Sequence, residues 1–437
     1  MYSELEVKAL ERRNYHRIRE MIRVTYTMGY NIMKPGPWDN LLKFWSLMLI
    51  LFTLLSYYGH WQLFVHYMQD IPRISEQTNI SLTAHTNCFS FFQSISTIFQ
   101  SLMSIMKMIY YLMAPRRFYA LLRLVCRHEL LQKCELFAAV SDLPVAQPLK
   151  QRVANTMDQC WISTRRQLMF YLFCCIGILL NYFVNSLVVN IYHALTEPDN
   201  NYEVALPLPS LYPDWMDKGM TFPYYHLPLL LESCNLYICG MGAVSFDVLF
   251  IVFCTHGVGL MHSLSHMIEY ATSPLIPRER RVQYLRHCIY QYQRVEAFAL
   301  ELNNTFRQII IIQFILSLFC WGLVLFQISI GIATSLTIAL RMLMYLAAGG
   351  YQIVIYCYNG QRFTTASERI PMAFYECTWY EESREFRQLI RMMIMRTNQS
   401  FSLDVSWFTK MSLPTLMSMI RASGQYTVLL QNLMQKK

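Results

Sequence analysis

The sequence predicts an all-α fold: a polytopic membrane protein with seven transmembrane helices, its amino terminus cytoplasmic and its carboxy terminus extracellular. Three observations predict this. The first is composition: of 437 residues, 54% are hydrophobic and 15% charged, more apolar and less charged than a soluble globular chain. The second is a set of apolar stretches at 41–65, 88–113, 168–193, 229–261, 307–330, 333–358 and 411–434, each near the roughly 20 residues that a helix needs to cross a bilayer. The third is charge placement, since Lys and Arg accumulate in cytoplasmic loops. Segments 1–40, 114–167, 262–308 and 359–410 hold 7, 9, 6 and 7 basic residues, 29 together, against 4 in the remaining connections and the last residues of the chain.

The elements follow in order. Residues 1–40 lack the early apolar core of a cleaved signal peptide and form a cytoplasmic arm. Its Arg12, Arg13, Arg17, Arg19 and Arg23 suit either a helix beside acidic headgroups or a solvated arm, and Pro35-Gly-Pro37 interrupts it. Residues 41–360 form a six-span helical bundle with cytoplasmic helical extensions at 114–167 and 262–306. In the second extension Tyr284, Cys288, Tyr292, Val295 and Ala299 keep helical spacing. The sequon at Asn79 falls in the first outer loop, where glycosylation can reach it; those at Asn303 and Asn398 fall inside. The loop 194–233 carries six Pro and six carboxylates against one Lys. It could cap a ligand site, gather cations near a pore mouth or be an ordinary exposed loop.

Residues 361–410 form a cytoplasmic anchor region. Trp379, Phe386, Leu389 and Met393 face one way there, and Arg384, Arg387 and Arg391 another, the pattern of a helix packed in a layer below the bilayer and suited to a subunit interface. In the terminal span, 411–437, Thr415, Ser418, Ala422, Gln425, Leu429 and Leu433 share one helix face. Such a stripe faces protein or water rather than lipid, so it is either buried against neighbouring helices or the wall of a pore.

Ionisable residues inside spans are candidate sites because unpaired charge there is costly. Lys43 and Lys107 lie near inner ends and can snorkel; Glu232 borders the outer interface; Asp247 and Arg341 lie deeper and either brace helices or touch a ligand. His262 and His266 are four residues apart at the inner end of the fourth span, without a third metal ligand nearby in sequence. The thirteen Cys form no disulfide framework, although Cys88 and Cys234 both fall near outer ends, where one bridge could form. No nucleophile elbow, phosphate loop or carboxylate dyad appears, so no enzyme, cofactor or metal site is expected, nor is nucleic acid a partner. Aromatic and small polar residues crowd the outer halves of the second, third, fourth and sixth spans: Phe91, Phe92, Ile95, Phe99, Tyr182, Asn185, Ser186, Val189, Tyr237, Met241, Thr337, Arg341 and Tyr345. Splayed helices at that level would enclose an apolar cavity with a few hydrogen-bonding groups; helix packing accounts for the same residues equally well.

The most specific pattern lies near the end of the chain: Tyr351-Gln-Ile-Val-Ile-Tyr-Cys-Tyr-Asn-Gly360, then Ser367, Tyr375 and Trp379, an Arg-studded helix, and a last span ending Tyr426-Thr-Val-Leu-Leu430. About a fifth of the chain is covered by this likeness, which resembles the carboxy-terminal signature of insect odorant receptors. The resemblance implies an odorant-gated, non-selective cation channel in the plasma membrane of olfactory sensory neurons, binding a small volatile organic ligand and assembled with a co-receptor as a heterotetramer in membrane lipid. It places Leu429 and Leu433 at a hydrophobic gate and Gln425 in the pore just below. The chain departs from the family pattern at Asn359, Gly424 and Thr427, and lacks the long insertion of the co-receptor at 262–306, as a ligand-tuned subunit would. A gustatory receptor channel keeps the architecture but expects a different terminal motif. A G-protein-coupled receptor requires the opposite orientation, and a transporter the inverted repeats that are not visible here.

Overall fold

The computed structural model describes residues 4–30, 39–76, 82–127, 146–196, 204–213, 220–221, 224–334, 336–406 and 409–435. The helices are α1 (Glu4–Thr27), α2 (Asp39–Glu76), α3 (Leu82–Met113), α4 (Pro115–Arg127), α5 (Ala146–Thr196), α6 (His226–Tyr237), α7 (Ala243–Glu269), α8 (Arg278–Thr334), α9 (Leu336–Glu376), α10 (Arg384–Thr397) and α11 (Leu413–Gln435). A π-helical turn, Ile238–Gly242, joins α6 to α7. No strand occurs among the described residues, as expected of an all-α chain.

Five helices among the described residues are long and apolar enough to cross a membrane. They contain the first, third, fourth, fifth and sixth of the apolar stretches. The other two stretches are also helical, as α3 and α11, but are more polar. On α3 the cause is a buried polar face comprising Gln93, Ser94, Thr97, Ser101, Ser104 and Lys107. Apolar side chains stand exposed on α2 (Phe44, Leu47, Leu51, Leu54, Tyr58) and along α5 from Met169 to Leu195. At 1.5 Å per residue that α5 face is about 39 Å long, enough to cover a hydrocarbon layer of about 30 Å. The exposed Arg165 and Arg166 precede it.

α7 is the central helix. Every residue from Ala243 to Met261 is buried, the mark of a helix apolar on all sides, and α5, α8 and α9 pack around it. The arm helix α1 also reaches it: Ser245 Oγ on α7 donates to the Val24 carbonyl at 3.1 Å. The chain then turns at Gly29, whose φ of 81° is one that other residues rarely adopt; a β-carbon there would strike the Leu42 carbonyl and Ser46 hydroxyl. Arg13 and Arg17 pair with Asp158 on α5 at 3.2 and 2.6 Å, so these two arm arginines are turned toward protein.

At one end of the bundle α10 packs against α8 and α9. Tyr284, Cys288, Tyr292, Val295 and Ala299 are all buried on α8. On α10, Phe386, Ile390 and Met393 are buried, while Arg384 and Arg391 are exposed. Ser383 caps α10 by accepting from the Phe386 amide at 3.3 Å, and Arg396 pairs with Glu296 on α8 at 2.6 Å.

The terminal motif has a physical basis. A β-carbon at Gly360 would collide with the Met411 β-carbon and carbonyl, so glycine lets the end of the sixth stretch touch the start of α11. Asn359, a departure from the signature the sequence resembles, is buried and donates to Gln167 Oε1 on α5 at 2.7 Å. Ser367 Oγ accepts from the Phe401 amide at 2.7 Å and anchors the return loop.

Candidate functional site

A cavity of about 70 Å³ lies between α3, α5, α6, α7, α8 and α9. Ile178, Leu179, Leu236, Trp321, Val324 and Leu346 make its walls apolar. Small residues at Ala348 and Gly349 leave the space open; a β-carbon on Gly349 would meet nothing closer than Trp321 Nε1 at 3.8 Å. The π-helical turn contributes Cys239 and Gly240, and such turns often mark functional positions in helices.

Two polar systems bound this space. At one end, Tyr171, Gln352 and Ser317 line the cavity and belong to a buried network centred on Asp247. Lys107 Nζ donates to Asp247 Oδ1 at 2.6 Å, and Tyr171 and Gln352 to Oδ2 at 2.9 and 2.7 Å. Tyr356 OH also donates to Oδ1. Gln313 on α8 donates to Gln352 Oε1 at 3.1 Å and to Ser317 Oγ at 2.7 Å. Lys107 and Asp247 are both completely buried. Lys107 therefore does not snorkel to the inner interface as expected: a carboxylate and the rings of Phe246 and Tyr356, 5.7 and 5.6 Å away, hold it inside. Asp247 braces four helices, the first of the two roles expected of it.

At the other end, residues 204–213 descend into the bundle. Leu208 is buried and lines the cavity, so this stretch caps it. The Leu211 amide donates to the Gly59 carbonyl at 3.0 Å. Tyr212 OH donates to Glu232 Oε1 at 2.7 Å, and Glu232 Oε2 lies 3.4 Å from His60 Nε2. Glu232 is thus completely buried rather than placed at the interface: Tyr212 satisfies one of its oxygens, and His60 lies beside the other, which accepts no hydrogen bond among the described residues.

Of the residues expected to bind ligand, Tyr182 and Tyr345 line the cavity. Arg341 sits behind the wall, its guanidinium 5.8 Å from the Tyr182 ring centre. Phe91 and Phe92 join an aromatic cluster with Phe64 and Phe326, and Phe99 meets Phe319. Ser186 donates to the Ala205 carbonyl at 2.6 Å and holds the loop. Tyr237 OH points to the Thr27 carbonyl of α1 at 3.5 Å, and Met241 packs against the main core. Ile95, Asn185 and Val189 are not among the lining residues, and the side chain of Thr337 lies outside those described. Sequence reasoning missed the whole α8 contribution, Ser317, Cys320, Trp321 and Val324, together with Thr97, Tyr171, Cys175 and Gln352. The available signal was the run of small and polar residues deeper in the same helices.

On α11 the expected stripe is not buried within the chain: Ser418, Gln425 and Leu429 are exposed. The packed face is Leu416, Met419, Ser423 and Thr427. Thr427 Oγ1 donates to the Gly322 carbonyl at 3.2 Å, and a β-carbon at Gly322 would enter the Tyr426 ring. The side chain of Leu433 and the sequon residue Asn79 lie outside the described parts. Cys234 is a free thiol, and the side chain of Cys88 is likewise outside those described.

A bundle of long apolar helices around a partly open, largely apolar cavity has the architecture of a small-molecule receptor. Residues 87–424 match the family model described as 7tm Odorant receptor, and the chain belongs to the odorant receptor family. It is 57% identical over 437 residues to Odorant receptor 63a of Drosophila melanogaster, covering all of both chains. To Odorant receptor 67b of the same species it is 27% identical over 309 residues, 70% of this chain and 73% of that one. These relatives bear out the expected odorant-tuned subunit. The fold is that of the insect olfactory receptor OR5 from Machilis hrabei, with a TM-score of 0.73 and 14% identity over 94% of this chain and 97% of that one. The structure of OR5 in complex with eugenol matches with a TM-score of 0.71 and 13% identity, over 97% and 99%.

Proposed function

We propose that this odorant receptor is the ligand-binding subunit of an odorant-gated, non-selective cation channel in the plasma membrane of olfactory sensory neurons. Its amino terminus is cytoplasmic, seven helices cross the bilayer, α11 lines the pore with Gln425, Leu429 and Leu433, and Asn79 is glycosylated outside. The assembly is a heterotetramer with a co-receptor, and the protein acts as a receptor rather than as an enzyme. The observation that carries the reading is the cavity itself: apolar walls, hydroxyl, thiol and amide groups at Tyr345, Cys320 and Gln352, and a roof from the outer loop. Its lining, rather than its volume, suits a small, largely apolar molecule with a hydrogen-bonding group. The eugenol held by OR5 is of that class. The cavity adjoins α8, and α8 grips α11 through Gly322, Tyr426 and Thr427, so a ligand that shifts α8 can act on the pore helix.

The test is odorant-evoked current with and without a co-expressed co-receptor, in wild type and Gly349→Leu. The leucine fills the open space beside Trp321, and odorant current is expected to fall at unchanged surface expression. An unaltered dose-response curve would remove this cavity from ligand binding.

A further inference from the structure

A second cavity, of about 280 Å³, opens on the cytoplasmic side of the bundle as the charge distribution orients it, away from the odorant cavity. It is formed by α5, α7 and α9, and His262, His266, Arg362 and Arg369 line it together with Gln159 and Glu269. Its volume approaches the lower end of small-molecule sites, about 300 Å³.

Its charge is unbalanced. The one carboxylate in its lining, Glu269, is engaged through one oxygen: Arg152 lies 3.2 Å from its Oε2 and His266 Nδ1 3.3 Å from the same atom. Arg362 is held in place by donating to Ser163 Oγ at 3.0 Å, with its guanidinium 5.6 Å from the Tyr358 ring centre, and neither contact cancels its charge. Arg369 stands at the exposed rim and has no carboxylate partner among the described residues. Two guanidiniums therefore face a polar hollow that also holds two imidazoles and the Gln159 amide.

Depth narrows the ligand. His262 follows directly on the apolar stretch 229–261, and Arg362 lies four residues beyond the end of 333–358, about 6 Å along a helix, within a headgroup layer of roughly 5–7 Å per leaflet. Arg369 lies seven residues further on α9, about 10 Å deeper, where a headgroup's outermost phosphate or a free inositol phosphate would reach. Basic pockets between membrane helices on the cytoplasmic side suit phosphorylated headgroups, and guanidinium matches phosphate geometry with paired donors. We infer that this cavity is a binding site for an inositol polyphosphate group, carried by a phosphoinositide of the inner leaflet or free in the cytosol. Because α9 carries both arginines and continues upward to Gln352 and Tyr345 at the odorant cavity, an occupant bears on the helix that also lines the ligand site.

The experiment uses full-length protein in detergent micelles, titrated with dioctanoyl phosphatidylinositol bisphosphate, inositol trisphosphate and dioctanoyl phosphatidylserine. Saturable binding of a phosphorylated inositol, with phosphatidylserine much weaker, is expected. Arg362→Gln and Arg369→Gln should each weaken it about fivefold and the pair about 25-fold, from roughly a factor of five per basic residue at a phosphate-bearing surface. Equal affinity for the lipid and for inositol trisphosphate assigns the site to the free phosphate; a clear preference for the lipid assigns it to the membrane. If Arg362→Gln misfolds through loss of its Ser163 bond, the exposed Arg369→Gln decides alone. Absence of saturable binding to either phosphorylated probe, affinity for phosphatidylserine equal to that for the bisphosphate lipid, or full affinity in Arg369→Gln would overturn the assignment.

Discussion

Removing one charge from the Lys107–Asp247 pair should damage the protein more than removing both. In Lys107→Met the Asp247 carboxylate stays buried, losing its counter-ion at 2.6 Å while keeping donors from Tyr171, Gln352 and Tyr356. In Asp247→Asn the Lys107 ammonium stays buried beside the Phe246 and Tyr356 rings, with a neutral amide in place of its counter-ion. Breaking a buried pair by deleting one partner costs about 3–5 kcal/mol, mostly from the charge left behind. The three remaining donors put Lys107→Met near the lower end, about 3 kcal/mol, and the loss of a charged acceptor for the ammonium puts Asp247→Asn higher. In Lys107→Met with Asp247→Asn no charge remains, and the amide oxygen still accepts from Tyr171 and Gln352. The double variant should therefore melt above either single one. The assay is the loss of the monodisperse elution peak of detergent-solubilised protein on heating, scored for wild type, both singles and the double. Losses that simply add would show that the two charges do not depend on each other, and the network could no longer be treated as one unit beneath the cavity.

Other perturbations test separate parts of the architecture. Gly322→Val should push on the Tyr426 ring at a cost of about 1–3 kcal/mol, lowering surface assembly, and Tyr426→Ala in the same chain should restore it; failure of the second change would show that α8 and α11 do not meet there. Arg341→Ala removes a contact of about 0.5–1 kcal/mol with Tyr182, so the half-maximal odorant concentration should move less than about fivefold, whereas Tyr182→Ala opens the cavity wall and should abolish the response. Equal losses in the two variants would put the guanidinium inside the cavity. Leu429→Ser, and more strongly Leu429→Ser with Leu433→Ser, should raise current without odorant by wetting an apolar constriction; wild-type basal current at normal surface expression would return these leucines to helix packing. An epitope after Lys437 should stain on intact cells and one before Met1 only after permeabilisation, and the reverse pattern would sink the orientation.

Much of the fold was legible in the sequence because it follows from period and polarity. The buried row from Tyr284 to Ala299 and the apolar face of α10 are helical spacing made visible, and the Gly360 signature marks a close approach that only glycine permits. The site was legible in kind but not in depth. On α5 the expected residues ran from Tyr182 to Val189, whereas the lining runs from Tyr171 to Tyr182; on α9 they ended at Tyr345, where the lining begins. Helical spacing says which residues share a face but not how far the helices have slid along one another. The π-helical turn adds an offset of its own, since the extra residue in it turns Tyr237 toward α1 and Cys239 toward the cavity. Lys107 and Glu232 were misplaced for a different reason: snorkelling and interfacial positions are defaults for lone charges, and each found a partner on a distant helix.

On the proposed reading of the cavity, its roof separates how tightly an odorant is held from how fast it arrives. Leu208 closes the space, while Tyr212, Glu232 and His60 hold the loop that carries it without touching the cavity themselves. A latch that is shut with and without ligand slows entry and escape by the same factor and leaves the equilibrium between them unchanged. Duration of a response can then be set in the outer loop and selectivity in the helices below, so two receptors with the same cavity could report the same odorant on different timescales.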